Sequence, residues 1–130
     1  MVVKRLLCPA RVRRPPPQFS WVDQRLVRER YIERCDANAL ALYLFLLTVA
    51  DRQGLSYYSD ATIVRCLSMD AMTLHRARRD LVRAELIAHE TPLYQVLALD
   101  PPRPLANPEA RGGPPRSLRE WLGQALERAP

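Results

Sequence analysis

The feature that most constrains this chain is where proline is missing. Prolines gather at Pro15, Pro16 and Pro17 and again from Pro101 to Pro115, while residues 18–100 hold one, Pro92. A proline fixes φ and removes a backbone donor, so helix interiors and central strands exclude it. The pattern predicts a folded middle with a tail on each side. It divides the chain into a basic proline-rich arm (1–18), a folded domain (19–99), a proline-rich linker (100–116) and a C-terminal amphipathic helix (117–130). A length of 130 residues leaves room for one domain.

Charge follows the same division. Residues 1–18 carry Lys4, Arg5, Arg11, Arg13 and Arg14 and no acid, whereas the other 15 basic and 14 acidic residues nearly cancel. A basic arm on a neutral body suits an anionic partner such as nucleic acid. Nineteen of the twenty basic residues are arginine, which a GC-rich genome also produces without any such partner. Cys8, Cys35 and Cys66 are odd in number and widely spaced, which predicts reduced thiols rather than a disulfide frame or a zinc site. Met1–Leu7 is too short and too charged for a signal peptide. The longest apolar run, Ala39–Ala50, falls short of the roughly 20 residues a membrane span needs. The expectation is a soluble, cytoplasmic protein with no membrane partner.

Along the folded region, Ser20 followed by Asp23 resembles a capping box, opening a short helix through Val22, Leu26 and Tyr31. Phe19 and Trp21 are expected to pack down on the body. Asp36 is a good N-cap for a helix from Ala37 to about Arg52, ended by Gly54. Its residues Leu40, Leu42–Leu47 and Val49 leave almost no polar face, so it belongs in the middle of the domain. Leu55–Tyr58 reads as a short strand. A helix over 60–67 follows, with Ile63, Val64 and Leu67 apolar, then a tight connection at Ser68 and Met69. Asp70 caps a helix from Ala71 to about Ala84. Leu86–Glu90 and Leu93–Leu99 read as two strands, and Thr91 and Pro92 between them leave room for a tight hairpin turn. After the linker, Ser117 and Glu120 form a second capping box before an apolar stripe of Leu118, Trp121, Leu122, Ala125 and Leu126.

The fold class predicted is mostly α with a small β-hairpin. The order helix, strand, helix, tight turn, helix, hairpin is that of a winged helix-turn-helix. Residues 61–87, with Arg65, Leu67, Thr73, Leu74, Arg76, Ala77, Leu81, Leu86 and Ile87 in their places, resemble the bacterial winged helix-turn-helix domains of replication initiators and transcriptional regulators. The 39–54 helix and residues 55–59 match the first helix and strand of that group, so the resemblance covers roughly 36–99. It implies this fold, and DNA binding as one of the functions the fold carries; related architectures also serve as protein-binding modules. The sequence departs from the pattern at Glu85, where glycine usually ends the helix. Either Glu85 takes a strained backbone or the helix ends differently.

On the 71–84 helix, Leu74, Ala77 and Leu81 share one face and point into the core. About 100° per residue puts Met72, His75, Arg76, Arg79 and Arg83 on the opposite side. Ala71, Met72, His75 and Arg76 lie in the first turns, the part of a recognition helix that reaches base edges. Arg76 and Arg79 are the leading candidates, since arginine can bond guanine O6 and N7 together, worth roughly 1–3 kcal/mol of discrimination. Arg79 and Arg83 lie further along and can instead hold phosphates. The plain alternative is a solvated face, with Arg83 complementing the helix dipole. Arg78 falls nearer the core edge and Asp80 on a flank. Met69 is expected in the core, and Met72 against a thymine methyl or nothing.

His75 and His89 have no cysteine or acidic cluster at ligand spacing, so no metal or other cofactor is expected. No phosphate loop, nucleophile elbow or paired carboxylates point to an enzyme, and with no second domain a small-molecule ligand is not expected. The hairpin offers His89, Glu90 and Gln95 but no arginine, although a DNA-contacting wing normally carries a cation. Arg11, Arg13 and Arg14 of the arm are candidates to compensate in the minor groove. Leu118, Trp121, Leu122 and Leu126 suit a protein partner or self-association, or a fold-back onto the domain. The leading expectation is sequence-specific binding of double-stranded DNA, as a regulator or accessory factor of a replicon or mobile element. The competing one is a protein–protein interaction module in a larger assembly. RNA ranks third, because the aromatic residues that stack on splayed bases fall mostly in the predicted core.

Overall fold

A computed structural model describes residues 2–99; the linker and the C-terminal stripe of Leu118, Trp121, Leu122 and Leu126 lie outside the described residues. Residues 2–22 are exposed throughout, with one 3₁₀ turn at Pro9–Arg11. The first helix, α1 (Arg25–Arg28), is short and buries Leu26. A 3₁₀ turn, Tyr31–Arg34, buries Tyr31, with the Arg34 guanidinium 4.7 Å from the centre of its ring.

The start of α1 differs from the expected capping box. The Asp23 carboxylate accepts from the Arg25 backbone N–H at 2.9 Å and pairs with the Arg25 guanidinium at 2.8 Å, so helix starts only after Gln24. Phe19 and Trp21 do not pack on the body: they are 67% and 75% exposed, and Val22 is exposed too. The chain ahead of Leu26 contributes nothing to the core.

α2 (Ala37–Val49) opens on Asp36, whose carboxylate accepts from the Ala39 N–H at 2.8 Å. Ala39, Leu42, Tyr43 and Leu46 form its buried stripe, at i, i+3, i+4 and i+7. Leu44, on the other side, is exposed, so the helix is not surrounded despite its composition. It stops at Val49, before the expected end, because Ala50 is extended. Asp51 then organises the turn: its carboxylate accepts from the N–H groups of Gln53 (2.8 Å) and Leu55 (2.9 Å). Gly54 takes φ 85°, and a Cβ there would stand 2.5 Å from the Val96 carbonyl oxygen. That close approach lets the Gly54 carbonyl accept from Val96 N–H at 2.8 Å.

The strands β1 (Leu55–Tyr57), β2 (Ile87–Glu90) and β3 (Leu93–Val96) form a three-stranded antiparallel sheet ordered β1–β3–β2. Ser56 faces Tyr94, and Glu90 faces Leu93 across the two-residue turn at Thr91 and Pro92, whose peptide bond is cis. The hairpin expected from sequence thus gains β1 as a third strand, and both hairpin strands are shorter than expected. Between β1 and β2 come α3 (Asp60–Leu67) and α4 (Ala71–Arg83). The core gathers Leu42 and Leu46 of α2, Ile63 of α3, Leu74, Ala77 and Leu81 of α4, and Leu86, Ile87 and Tyr94 at the sheet. Met69 is packed against its edge. No helix of the described residues is long and apolar enough to cross a membrane.

Candidate nucleic-acid interface

α3 and α4 are joined by three residues, and each end of that joint has a local cause. Ser59 caps α3, accepting from Thr62 N–H at 3.2 Å. At its other end Ser68 takes the left-handed region, φ 52°, and Met69 N–H reaches back to the Val64 carbonyl at 3.1 Å. This six-to-one bond closes a helix while turning the chain away from its axis. Asp70 then caps α4, accepting from Thr73 N–H at 2.6 Å. Thr73's side chain and backbone bonds hold the Asp70 carboxyl below the usual carboxylate range, with the Arg76 charge adding to them. The positive end of α4 is therefore occupied by its own carboxylate, and an anion approaching this helix must be met by side chains.

α4 buries Leu74, Ala77 and Leu81 and turns Met72, His75, Arg76, Arg79 and Arg83 outward, all exposed. At about 100° per residue these five fall within an arc of about 100°, and Arg76 to Arg83 covers about 10 Å of the axis. Ala71 is exposed at the first turn. Among the described residues, Arg76, Arg79 and Arg83 have no ion-pair partner. Three guanidinium groups on one face, with no carboxylate tied to them, can meet phosphates or base edges.

Arg78 takes the other side of α4 and has a different task. Its guanidinium donates to the Asp60 carboxylate (2.8 and 3.3 Å) and to the Tyr94 hydroxyl (2.8 Å), joining α4 to the start of α3 and to β3. Helix spacing puts Arg78 at the core edge, but no local pattern gives these partners, which lie 18 and 16 residues away. The His89 ring lies on Tyr94 with centroids 4.4 Å apart. Burial and the nearby Arg78 charge push His89 below its ordinary pKa, against an opposing pull from Asp60.

The helix C-terminus resolves the departure noted at Glu85. Glu85 sits at φ 60°, its N–H bonding the Val82 carbonyl at 3.1 Å, and Leu86 N–H bonds the Leu81 carbonyl at 3.0 Å. The chain adopts the left-handed cap with glutamate where glycine is the unstrained choice. The hairpin brings only His89 and Glu90 as ionisable groups besides Tyr94, and Leu93 near its tip is exposed.

In the arm, Arg11, Arg13 and Arg14 are exposed. Cys8, Cys35 and Cys66 are free thiols, and burial pushes Cys35 up. Among the described residues no three His, Cys, Asp or Glu side chains gather where a metal could be held. No protein-family model, no curated protein and no solved structure matches the chain.

Proposed function

We propose that this chain is a winged helix-turn-helix protein that binds duplex DNA sequence-specifically, as a regulator or accessory factor of a replicon or mobile element. The observation that carries the reading is the outer face of α4: Met72, His75, Arg76, Arg79 and Arg83 exposed together, on a helix held to α3 by a three-residue turn. In this reading α4 enters the major groove, Ala71, Met72, His75 and Arg76 approach base edges, and Arg79 and Arg83 serve bases or phosphates. The α2–β1–α3–α4–hairpin order supports it, as do the exposed cations of the arm, which would add contacts to the DNA backbone or minor groove. The protein acts without catalysis and at cytoplasmic DNA.

The absence of any lysine or arginine from the hairpin favours a second reading, a protein–protein module in a larger assembly. Selection of sites from a random duplex pool separates the two. The intact chain should enrich a short motif, and the Arg76→Ala, Arg79→Ala double variant should lose or degrade it. No enrichment, or enrichment unchanged by the double substitution, would sink the DNA reading in favour of the module.

A further inference from the structure

The exposure of Phe19 and Trp21 gives the N-terminal segment a chemistry that the arm's charge alone does not have. Both rings stand in solvent, 67% and 75% exposed, and neither belongs to the core or to its edge. An exposed Trp and Phe two residues apart are a large apolar surface left unburied. Ahead of them, beyond Pro15–Pro17 and Gln18, come Arg11, Arg13 and Arg14, also exposed. Residues 1–22 contain no acid, and the first that follows, Asp23, is tied to Arg25.

Arg11 closes the 3₁₀ turn, residues 12–16 run on without a turn, and the chain bends at 17–18 before the two rings. Val12 sits at φ −65° and ψ 132°, in the polyproline region, and three prolines follow at 15–17. A stretch of that kind advances roughly 3 Å per residue and holds its length. Exposed cations followed, across that bend, by exposed aromatic rings match an unpaired polynucleotide, which offers phosphates and open base faces together. Duplex DNA offers phosphates but keeps its base faces stacked, so it has no use for Phe19 and Trp21. A protein partner would use the rings, but only an acidic one would also use a run of cations free of any acid.

We propose that residues 11–21 form a second nucleic-acid element that takes single-stranded DNA, with Arg11, Arg13 and Arg14 on its phosphates and bases stacked on Phe19 and Trp21. The element rests on the reading of the arm as a nucleic-acid contact and is separate from α4. It places the protein where duplex and unpaired DNA meet.

The test uses the full chain with Trp121→Phe, which leaves Trp21 as the sole tryptophan. Oligo(dT), an abasic strand of equal length, oligo(rU) and a duplex are each titrated against tryptophan fluorescence, and labelled strands are followed by anisotropy. Oligo(dT) should quench Trp21 and the abasic strand should not. Trp21→Ala and Phe19→Ala should each weaken oligo(dT) binding by about 5- to 150-fold, with unchanged thermal melts because both rings are exposed. The Arg76→Ala, Arg79→Ala variant should keep its oligo(dT) affinity. Equal binding of abasic and dT strands, or affinity unmoved by the ring substitutions, overturns the proposal. Tighter binding of oligo(rU) than of oligo(dT) overturns the assignment to DNA. Loss of single-strand binding in the α4 variant places it on α4 and overturns the separate element, while absence of any strand binding leaves the rings to a protein partner.

Discussion

Arg78 on α4 donates to the hydroxyl of Tyr94 on β3 across 2.8 Å, in a molecule where Tyr94 is 1% exposed. The same nitrogen donates to Asp60 at 2.8 Å, so one guanidinium holds the outward-facing helix, the helix before it and the hairpin in fixed relation. The two bonds differ in weight. Asp60's side chain is 61% exposed, and an ion pair so open to water contributes at most about 1 kcal/mol. The Tyr94 hydroxyl is shielded, and losing its partner costs about 1–3 kcal/mol. Arg78→Ala is therefore expected to destabilise the protein by about 2 kcal/mol, and Asp60→Asn by less than about 1 kcal/mol. Urea denaturation of both variants checks the ranking, and equal losses would contradict it.

His89 beside Tyr94 makes stability depend on pH. Its folded-state pKa lies below its ordinary value, chiefly through burial and then through Arg78, so below the ordinary value the unfolded chain binds the proton more readily. Stability is full above about pH 6.5 and is lost as pH falls through the folded-state pKa. Asp60 and Asp70 are also held low, but their loss comes only below the ordinary carboxylate range. His89→Gln should thus flatten the urea midpoint between about pH 7 and pH 5 while leaving the acid limb in place. A midpoint that falls equally in the variant and the parent would remove His89 as the cause.

Two left-handed residues should respond in opposite directions. Glu85 at φ 60° carries a Cβ in a region that costs an ordinary residue about 1–2 kcal/mol. Glu85→Gly relieves that cost at an exposed site, and the greater freedom of the unfolded glycine offsets part of it. The expected net gain is up to about 1 kcal/mol, read as a higher midpoint in thermal or urea unfolding. Gly54→Ala should lower it, because the new Cβ meets the Val96 carbonyl at 2.5 Å and loosens the Gly54–Val96 bond.

Salt response separates the roles along α4. If Arg83 holds a phosphate, Arg83→Ala should weaken binding to every duplex alike and reduce the slope of log affinity on log salt by about 0.9. If Arg76 reads a base, Arg76→Ala should relax selectivity at one position with little change of slope. Binding isotherms at several salt concentrations, on matched and mismatched duplexes, measure both.

The buried hydroxyl of Ser56, on β1 opposite Tyr94, has no hydrogen-bond partner among the described residues. Ser56→Ala removes an unsatisfied group whose desolvation costs about 1–3 kcal/mol. The variant should be at least as stable as the parent, and a marked loss would reveal a partner for that hydroxyl.

Much of the helical scaffold was determined by the sequence alone. Asp36 and Asp70 start α2 and α4 because a cap needs only a carboxylate three residues before a free N–H, and that distance is set within one turn. The spacing of Leu74, Ala77 and Leu81 assigns the inner face of α4, and with it the outward face of Arg76, Arg79 and Arg83, by helix geometry. The missing glycine at position 85 left two endings open for α4, a strained backbone or a different helix end, and the structure takes the left-handed one. Three features were settled only by tertiary structure. β1 finds β3 some forty residues later in the sequence, a pairing no local pattern specifies. Arg78 is an anchor because Asp60 and Tyr94 arrive beside it from other elements. Phe19 and Trp21 stay in water although both are large aromatic side chains. A side chain is buried only where a complementary surface exists to receive it, and that surface is built from residues far away in sequence.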